Sequence, residues 1–174
     1  SIILNSMCAF FDSANHPKNA LIVKDLKKDD EKILECNEDS PTSLFVFKTI
    51  TDPFVGKTSY FKVTSGTLYT GMTLYNPKEK EDEKIVKIYQ PMGKNLIEVD
   101  KLHAGEIGAF TRSATCHTND TLCDPRSPIL IPDTEYSKPY YKKAIVPLGK
   151  SNEEKIANAI NRLLEEDPTL VYEY

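Results

Sequence analysis

Long apolar stretches are missing from the sequence. No segment approaches the roughly 18 consecutive apolar residues that a membrane-spanning helix needs. The apolar opening, Ile2 to Phe11, has no basic region before it and no small-residue cleavage site after it. The chain has 174 residues, of which 40% are hydrophobic. We therefore expect a cytoplasmic protein without membrane contact, with one core of ordinary size and a smaller satellite.

The cysteines lack the spacing of a disulfide framework or a metal site. Cys8, Cys36, Cys116 and Cys123 form no CxxC pair, which favours reduced thiols in a chain without a signal peptide. Cys116, His117 and Cys123 are the one cluster that resembles part of a zinc site. A structural zinc site needs four ligands, and a fourth is not evident. We therefore predict no metal site.

An excess of positive charge is also missing. The chain has 22 Lys and Arg residues against 26 Asp and Glu residues, a net charge of −4. Proteins that mainly grip phosphate backbones usually carry a clear basic excess. Any contact with RNA must therefore be local, and we expect it to be weak and to fade as salt is added.

Two triplets resemble the end of a phosphate-binding loop, but neither motif is complete. Gly56-Lys57-Thr58 and Gly149-Lys150-Ser151 both lack the leading glycine of that loop. In the second, Pro147 removes a backbone N–H that such a loop aims at phosphate. The patterns of guanine-nucleotide sites and of Ser-His-Asp or Cys-His catalytic groups are missing as well. We therefore predict no catalytic residue and no bound cofactor in this chain.

The first 43 residues divide into a helical part and a charged part. In residues 1–17, Ile3, Leu4 and Met7 recur at spacings of three and four, which predicts an amphipathic helix. Residues 18–43 alternate short apolar runs with clusters such as KKDDEK. We interpret them as a charged, solvated connection, with one edge hairpin as an option.

Residues 44–125 have the pattern of a small β-barrel. Short runs rich in β-branched and aromatic residues alternate with glycine, asparagine and proline. Ser65-Gly66 is predicted to form a hairpin turn, because glycine readily adopts a positive φ. Closure is favoured over an open sheet, since it removes unpaired strand edges. The sequence therefore predicts a mainly β fold.

Aromatic residues lie among lysines in these predicted strands. The aromatic residues are Tyr60, Phe61, Tyr69, Tyr75 and Tyr89, and the lysines are Lys57, Lys62 and Lys87. Such a group could form a face on which RNA bases stack. Aromatic side chains on alternating strands more often fill a barrel core, and this is the interpretation that we prefer.

Residues 126–138 are predicted to be a Pro-rich linker, followed by a strand–helix–strand unit in residues 139–174. Residues 125–141 hold four of the eleven prolines in the chain. KKAIVPL and TLVYEY have strand character, and Ser151 and Glu154 have the spacing of a helix capping box. Ile156, Ala159, Ile160, Leu163 and Leu164 give the helix one apolar face. We interpret its acidic end, Glu165 to Asp167, as a solvated terminus.

Several strings resemble the second domain of elongation factor G and its close paralogues. They lie in Phe45 to Asn76, Glu98 to Phe110 and Thr118 to Pro125. In that family a strand enters an Asp-Pro-Phe-Val-Gly turn and a hairpin turns at Ser-Gly. The domain then closes with Ala-Gly-Glu-Ile and Thr-Leu-Cys-Asp, in the order found here. Residues 129–170 are similar to the start of the family's third domain, and together these segments cover about three quarters of the chain.

The resemblance implies a non-catalytic part of a ribosomal translocation GTPase. An upstream domain would hydrolyse GTP with magnesium, and residues 1–17 are similar to the tail of that domain. The barrel would dock on small-subunit ribosomal RNA and relay the nucleotide state to the other domains of the factor. Residues 139–174 would be the first half of a ferredoxin-like, split β-α-β unit. Ribosome recycling and ribosome protection are alternative tasks for the whole factor, and a free-standing oligonucleotide- or protein-binding barrel is an alternative for this chain.

Five residues are our candidates for proximity to ribosomal RNA. They are Gly56, Lys57, Lys62, Ser65 and Gly66. Exposed lysines and bare turn backbone can reach phosphates without reading bases. The resemblance also implies that residues 169–174 would have an unpaired strand edge. We expect that edge to be disordered or to pair with another molecule.

We predict that the chain does not bind guanine nucleotides, because no complete phosphate-binding loop is present. Titration of a fluorescent GTP analogue with the chain, in the presence of magnesium, should leave the fluorescence unchanged. A saturable signal that unlabelled GTP displaces would contradict this prediction.

Overall fold

The computed structural model describes residues 1–52, 56–113, 115–146 and 153–173. The mainly β fold predicted from the sequence is confirmed. Before the barrel lie α1 (Ile2–Phe10), a short 3-10 helix (Pro17–Asn19), β1 (Leu21–Asp25) and β2 (Asp30–Leu34). No helix among the described residues is long and apolar enough to cross a membrane.

The barrel strands follow in quick succession along the chain. They are β3 (Ser43–Asp52), β4 (Gly56–Ser65), β5 (Thr67–Tyr69), β6 (Thr73–Asn76), β7 (Glu81–Lys84), β8 (Ile88–Met92), β9 (Asn95–Val99), β10 (Lys101–His103), β11 (Ile107–Thr111) and β12 (Thr121–Cys123). A short β13 (Ile129–Leu130) and the helix α2 (Glu153–Glu166) come after them.

One antiparallel sheet of eight strands wraps around the main core. Its order is β7-β6-β12-β3-β4-β11-β8-β9, and β5 pairs separately with β10. The hairpin predicted at Ser65-Gly66 is therefore wrong, because β4 and β5 do not pair with each other. Alternate residues of β4 point inwards, so Phe61 and Val63 are fully buried while Lys62 is exposed. The Phe61 ring packs on Phe110 with ring centroids 5.3 Å apart. Burial of a side chain of this size contributes about 2–3 kcal/mol to folding.

The long β3–β4 pair carries a bulge that shapes its outer face. The register shifts between Val46 and Lys48, so Phe47 is an extra residue without a cross-strand partner. On its other side, Val46 forms two backbone hydrogen bonds with residues 119–120. Its N–H donates to the Asp120 carbonyl oxygen at 2.9 Å, and its carbonyl oxygen accepts the Asn119 N–H at 2.8 Å. Beyond the bulge, Lys48 pairs directly with Tyr60.

Residues 18–43 contain more structure than a solvated connection. The optional hairpin is present as β1 and β2, and β13 pairs with β1 in a three-stranded sheet. Val23 is buried against Ile129 and Ile131 in a second apolar cluster beside the barrel. The strand β13 lies within the segment that we predicted to be a plain linker. Pairing between residues about 100 positions apart leaves no local sequence pattern, which explains the difference.

The helix α1 buries none of its residues in this structure. Its apolar side chains face solvent, with Ile2 86% and Phe10 83% exposed. The amphipathic pattern therefore correctly located a helix. The apolar side chains of that helix pack against no other part of the chain that the structure describes.

The unit after the linker differs from the predicted strand–helix–strand order. The helix is present as α2, but residues 142–146 and 169–173 form no strand. Strand pairing requires a backbone partner, and no described segment supplies one to either stretch. A Lys142–Glu173 ion pair of 2.9 Å links the two stretches through side chains alone. The predicted capping box and the Gly149-Lys150-Ser151 triplet fall on residues outside the described ranges, and intermolecular pairing through residues 169–174 stays a prediction.

We predict that Gly66→Ala lowers the free energy of unfolding by about 3 kcal/mol. Gly66 has a φ of +72°, and an added Cβ would lie 2.6 Å from the Ser40 carbonyl oxygen and from Thr42 Cα. Urea denaturation followed by circular dichroism measures the change. Gly93→Ala is the matched control, because its φ is +61° but no atom lies within 4 Å of the added Cβ. It should cost about 1 kcal/mol, and equal losses in the two variants would contradict the steric argument.

Candidate functional site

The five candidate residues do not converge on one site. They lie along and just beyond β4, which is ten residues long. At about 3.3 Å per residue its ends are roughly 30 Å apart. Gly56 and Lys57 lie at one end, Ser65 and Gly66 at the other, and Lys62 faces outwards between them.

Ser65 and Gly66 make internal contacts. Ser65 is fully buried, and its hydroxyl is 2.7 Å from both the Ser43 hydroxyl and the Pro41 carbonyl oxygen. The Gly66 N–H donates to the Asn37 carbonyl oxygen at 2.8 Å. The backbone at Ser65 and Gly66 is therefore covered by the segment that precedes β3, and is not the bare turn that we predicted.

Lys62 belongs to an outward face of the sheet. Its cross-strand partner on β11 is Ile107, and two residues earlier on β4 Tyr60 pairs with Lys48. Paired residues of antiparallel strands point to the same side of a sheet. Lys48 and Lys62 are exposed and Tyr60 is half-buried. We call Lys48, Tyr60, Lys62 and Ile107 the outer β3–β4 face.

The remaining aromatic candidates are divided between core and surface. Phe61 is in the core, as we preferred, and Tyr75 packs against the second cluster. Tyr89 is half-buried, whereas Tyr69 is 51% exposed. The aromatic residues therefore do not form one continuous stacking surface.

Lys57 is engaged by the helix α2. Its ammonium forms an ion pair with the Glu165 carboxylate, and the two side chains are only 17% and 22% exposed. His117 Nδ1 lies 2.8 Å from the same carboxylate oxygen. A carboxylate only accepts hydrogen bonds, so Nδ1 carries the proton. The 3.4 Å approach of Lys57 Nζ to His117 Nδ1 is then proximity between two donors, because both point to Glu165.

The neighbouring acid binds the adjacent strand. A Glu166 carboxylate oxygen accepts the Thr51 N–H at 2.6 Å. Thr51 and Lys57 are cross-strand partners at the end of the β3–β4 pair where the chain passes from one strand to the next. Our interpretation of Glu165 and Glu166 as a solvated helix end was therefore wrong, because partners distant in sequence bind both carboxylates. We call Thr51, Lys57, His117, Glu165 and Glu166 the helix-docking cluster.

A signal for this cluster was present in the sequence. The last turn of α2 carries two glutamates and no basic residue. Negative side chains are unfavourable there, because the C-terminal end of a helix is the negative end of the helix dipole. Acids in that position indicate a positive partner elsewhere, although the sequence does not show which residues supply it.

A second polar network holds the linker on the barrel. The buried Asp120 carboxylate accepts hydrogen bonds from the Asn76 amide and from the His117 N–H, both at 2.8 Å. Lys78 lies 3.9 Å from Asp120 and pairs with Asp133 of the linker at 2.6 Å. The direction in which the chain leaves the barrel is thus fixed by charge pairing as well as by β13.

The cysteine and histidine cluster of the sequence analysis does not come together. Cys116 lies in the barrel core, Cys123 in the second apolar cluster, and the His117 ring at the surface beside Glu165. Burial raises the pKa of the Cys116 and Cys123 thiols, so both stay protonated. The described residues contain no cluster of side chains that could hold a metal ion.

Comparisons with known proteins agree with this architecture. Residues 41–125 match the family described as Elongation factor G domain 2, and residues 136–174 match Elongation Factor G, domain III. Elongation factor G of Salinibacter ruber (strain DSM 13855 / M31) is 37% identical over 132 residues, which cover 76% of this chain and 19% of that relative. A crystal structure of a Thermus thermophilus protein is similar with a TM-score of 0.70 and 31% identity, over 78% of this chain and 20% of that chain.

The barrel and the unit that follows it define part of a translation elongation factor. The chain belongs to the elongation factor G family, as the motifs in its strands predicted. It spans about a fifth of the length of the curated relative that it matches.

We predict that thiol reactivity in the native protein follows burial. Cys8 is exposed and should be alkylated by iodoacetamide at pH 8, whereas Cys116 and Cys123 should react only after unfolding. Mass spectrometry of the labelled peptides, with and without urea, measures this order. Alkylation of Cys116 in the native protein at the rate of Cys8 would contradict the placement of Cys116 in the core.

Proposed function

We propose that the chain acts in translation elongation by docking on small-subunit ribosomal RNA through the outer β3–β4 face. The observation that supports this most directly is the availability of Lys48 and Lys62. Both are exposed and make no ion pair with a described residue, whereas Lys57 and Lys87 are paired with Glu165 and Glu98. Two free ammonium groups beside a tyrosine suit a phosphate backbone.

Docking through these lysines would position the barrel on the RNA without recognising the RNA sequence. Lysine offers a mobile point charge, which contacts phosphate oxygens without a fixed geometry towards base edges. With a net charge of −4, the chain has no broad electrostatic attraction to RNA. The isolated chain should therefore bind weakly, and most of its affinity should disappear at high salt.

In the whole factor the barrel would relay the nucleotide state from a GTP- and magnesium-binding domain to domain III. The helix-docking cluster supports this role, because a hydrogen bond joins α2 to β3 and an ion pair joins it to β4. Nine cross-strand residue pairs join β3 to β4, so a movement of the barrel would be passed through this pair to α2. Such a factor would work in the cytoplasm, together with the ribosome.

The proposal predicts that the double variant K48E/K62E binds small ribosomal subunits roughly tenfold more weakly than the native chain at low salt. Fluorescence anisotropy of the labelled chain, titrated with purified subunits, measures the affinity. The slope of log affinity against log salt should fall by about one for each phosphate contact that is lost.

K27E/K28E is the matched control, because it introduces the same charge change in the exposed β1–β2 turn. This control should retain most of the native affinity. Equal loss in the two double variants would show that only total charge matters, and it would sink the proposed docking face.

A further inference from the structure

The end of α2 is unstable by local criteria but remains helical. Glu165 and Glu166 occupy its last turn, where the helix dipole already concentrates negative charge. The helical hydrogen bonding nevertheless continues to Asp167, whose N–H donates to the Leu163 carbonyl oxygen at 2.9 Å. An interaction outside the helix can offset this unfavourable charge.

Apolar packing gives α2 only limited support. Of the described side chains on its apolar face, only Ile160 is buried. Leu163 is 52% exposed, and Ile156 and Leu164 are only partly covered. A helix with so narrow a buried stripe gains little from the hydrophobic effect. The polar contacts at its end therefore carry more weight than they would in a fully packed helix.

The barrel supplies the missing stabilisation from three separate segments. Glu165 receives the Lys57 ammonium from β4 and His117 Nδ1–H from the 112–120 segment. Glu166 receives the Thr51 N–H from the end of β3. The small exposure of Lys57 and Glu165 reduces screening by water, so this pair is stronger than one on an open surface.

We propose that the helix-docking cluster is an electrostatic latch that couples docking of α2 on the barrel to the helicity of its last turn. When α2 is docked, Lys57 pairs with Glu165, His117 and Thr51 donate hydrogen bonds to the two acids, and the turn is helical. When α2 leaves the barrel, the acids oppose the helix dipole without compensation and the turn unwinds. Position and local folding of this part of domain III therefore change together, and the latch operates without a ribosome.

Amide hydrogen exchange of the full 174-residue chain, followed by mass spectrometry, tests the latch. In K57E the barrel should repel Glu165, and amides of residues 160–167 should exchange about tenfold faster than in the native chain. The swapped variant K57E/E165K should return the exchange rate to within about threefold of native. In that variant the ion pair is reversed, and a lysine in the last turn also suits the helix dipole.

K57E could disturb the barrel itself, and faster amide exchange in β4 and β11 would reveal this. A second variant keeps the test decisive in that case. Glu165→Gln changes only the helix side of the contact. The helix dipole alone predicts slower exchange of the last turn in this variant, because a negative charge is removed. The latch predicts faster exchange, because the negative charge that attracts Lys57 is lost and a neutral amide oxygen accepts hydrogen bonds more weakly.

K94E is the charge-matched control, because Lys94 is exposed in the β8–β9 turn. It should leave the exchange of α2 unchanged. Native-like exchange of α2 in K57E or slower exchange in Glu165→Gln would overturn the latch. So would failure of the swap to restore protection, or an effect of K94E equal to that of K57E.

Discussion

The antiparallel pairing of β3 with β4 is the interaction on which the rest of the structure depends. Each strand is ten residues long, and their register decides which side chains enter the core. Leu44, Val46, Phe61 and Val63 point inwards and are fully buried. Alternation along β4 sends Lys62 outwards, and the bulge at Phe47 reverses the alternation along β3, so that Lys48 also faces outwards. A shift by one residue would exchange the two sets, so the core and the outer β3–β4 face are fixed by one constraint.

The barrel is also tied to the segments that precede and follow it. Pairing of β1 with β13 joins residues from both sides of the barrel, and Val23 buries itself beneath this pairing. The Lys78–Asp133 ion pair fixes the linker farther along. Val23, Ile129 and Ile131 pack with Cys123 of β12, whereas Leu122 of the same strand enters the main core. The folded body around the barrel therefore includes residues outside the 41–125 match.

The elements governed by local patterns were predictable from the sequence. The alternation of Phe61, Lys62 and Val63 indicated a half-buried strand. The positive φ of Gly66 also agrees with the sequence, but the predicted hairpin does not form, because β5 pairs with β10 and not with β4. The pairing of β1 with β13 was not predictable, because its residues are about 100 positions apart. The absent strands in residues 142–146 and 169–173 have a related cause. β-branched and aromatic residues indicate a preference for the extended conformation, but a strand forms only where a partner backbone is available.

The candidate site was harder to predict, because exposure and charge pairing are properties of the folded chain. Lys57 comes shortly before the aromatic pair Tyr60-Phe61, and Lys62 comes directly after it. The two lysines therefore look equivalent in the sequence. In the structure Lys57 is engaged by Glu165, whereas Lys62 faces solvent. Ser65 and Gly66 were chosen for an exposed turn, but their polar groups already bind residues 37–43. The acidic end of α2 was interpreted from its composition, although its unfavourable dipole sign was the more informative signal.

The outer β3–β4 face and the helix-docking cluster use different parts of the same two strands. Lys62 and Lys57 are five residues apart on β4, which places their backbones about 16 Å from each other. A phosphate bound at Lys62 would therefore not compete directly with Glu165 for Lys57. Because the strands between them are locked by the β3–β4 hydrogen bonds and by the core, the two surfaces keep a fixed relation. Docking on one surface would thus set the position of α2 through the β3–β4 pair itself, without a flexible step between them.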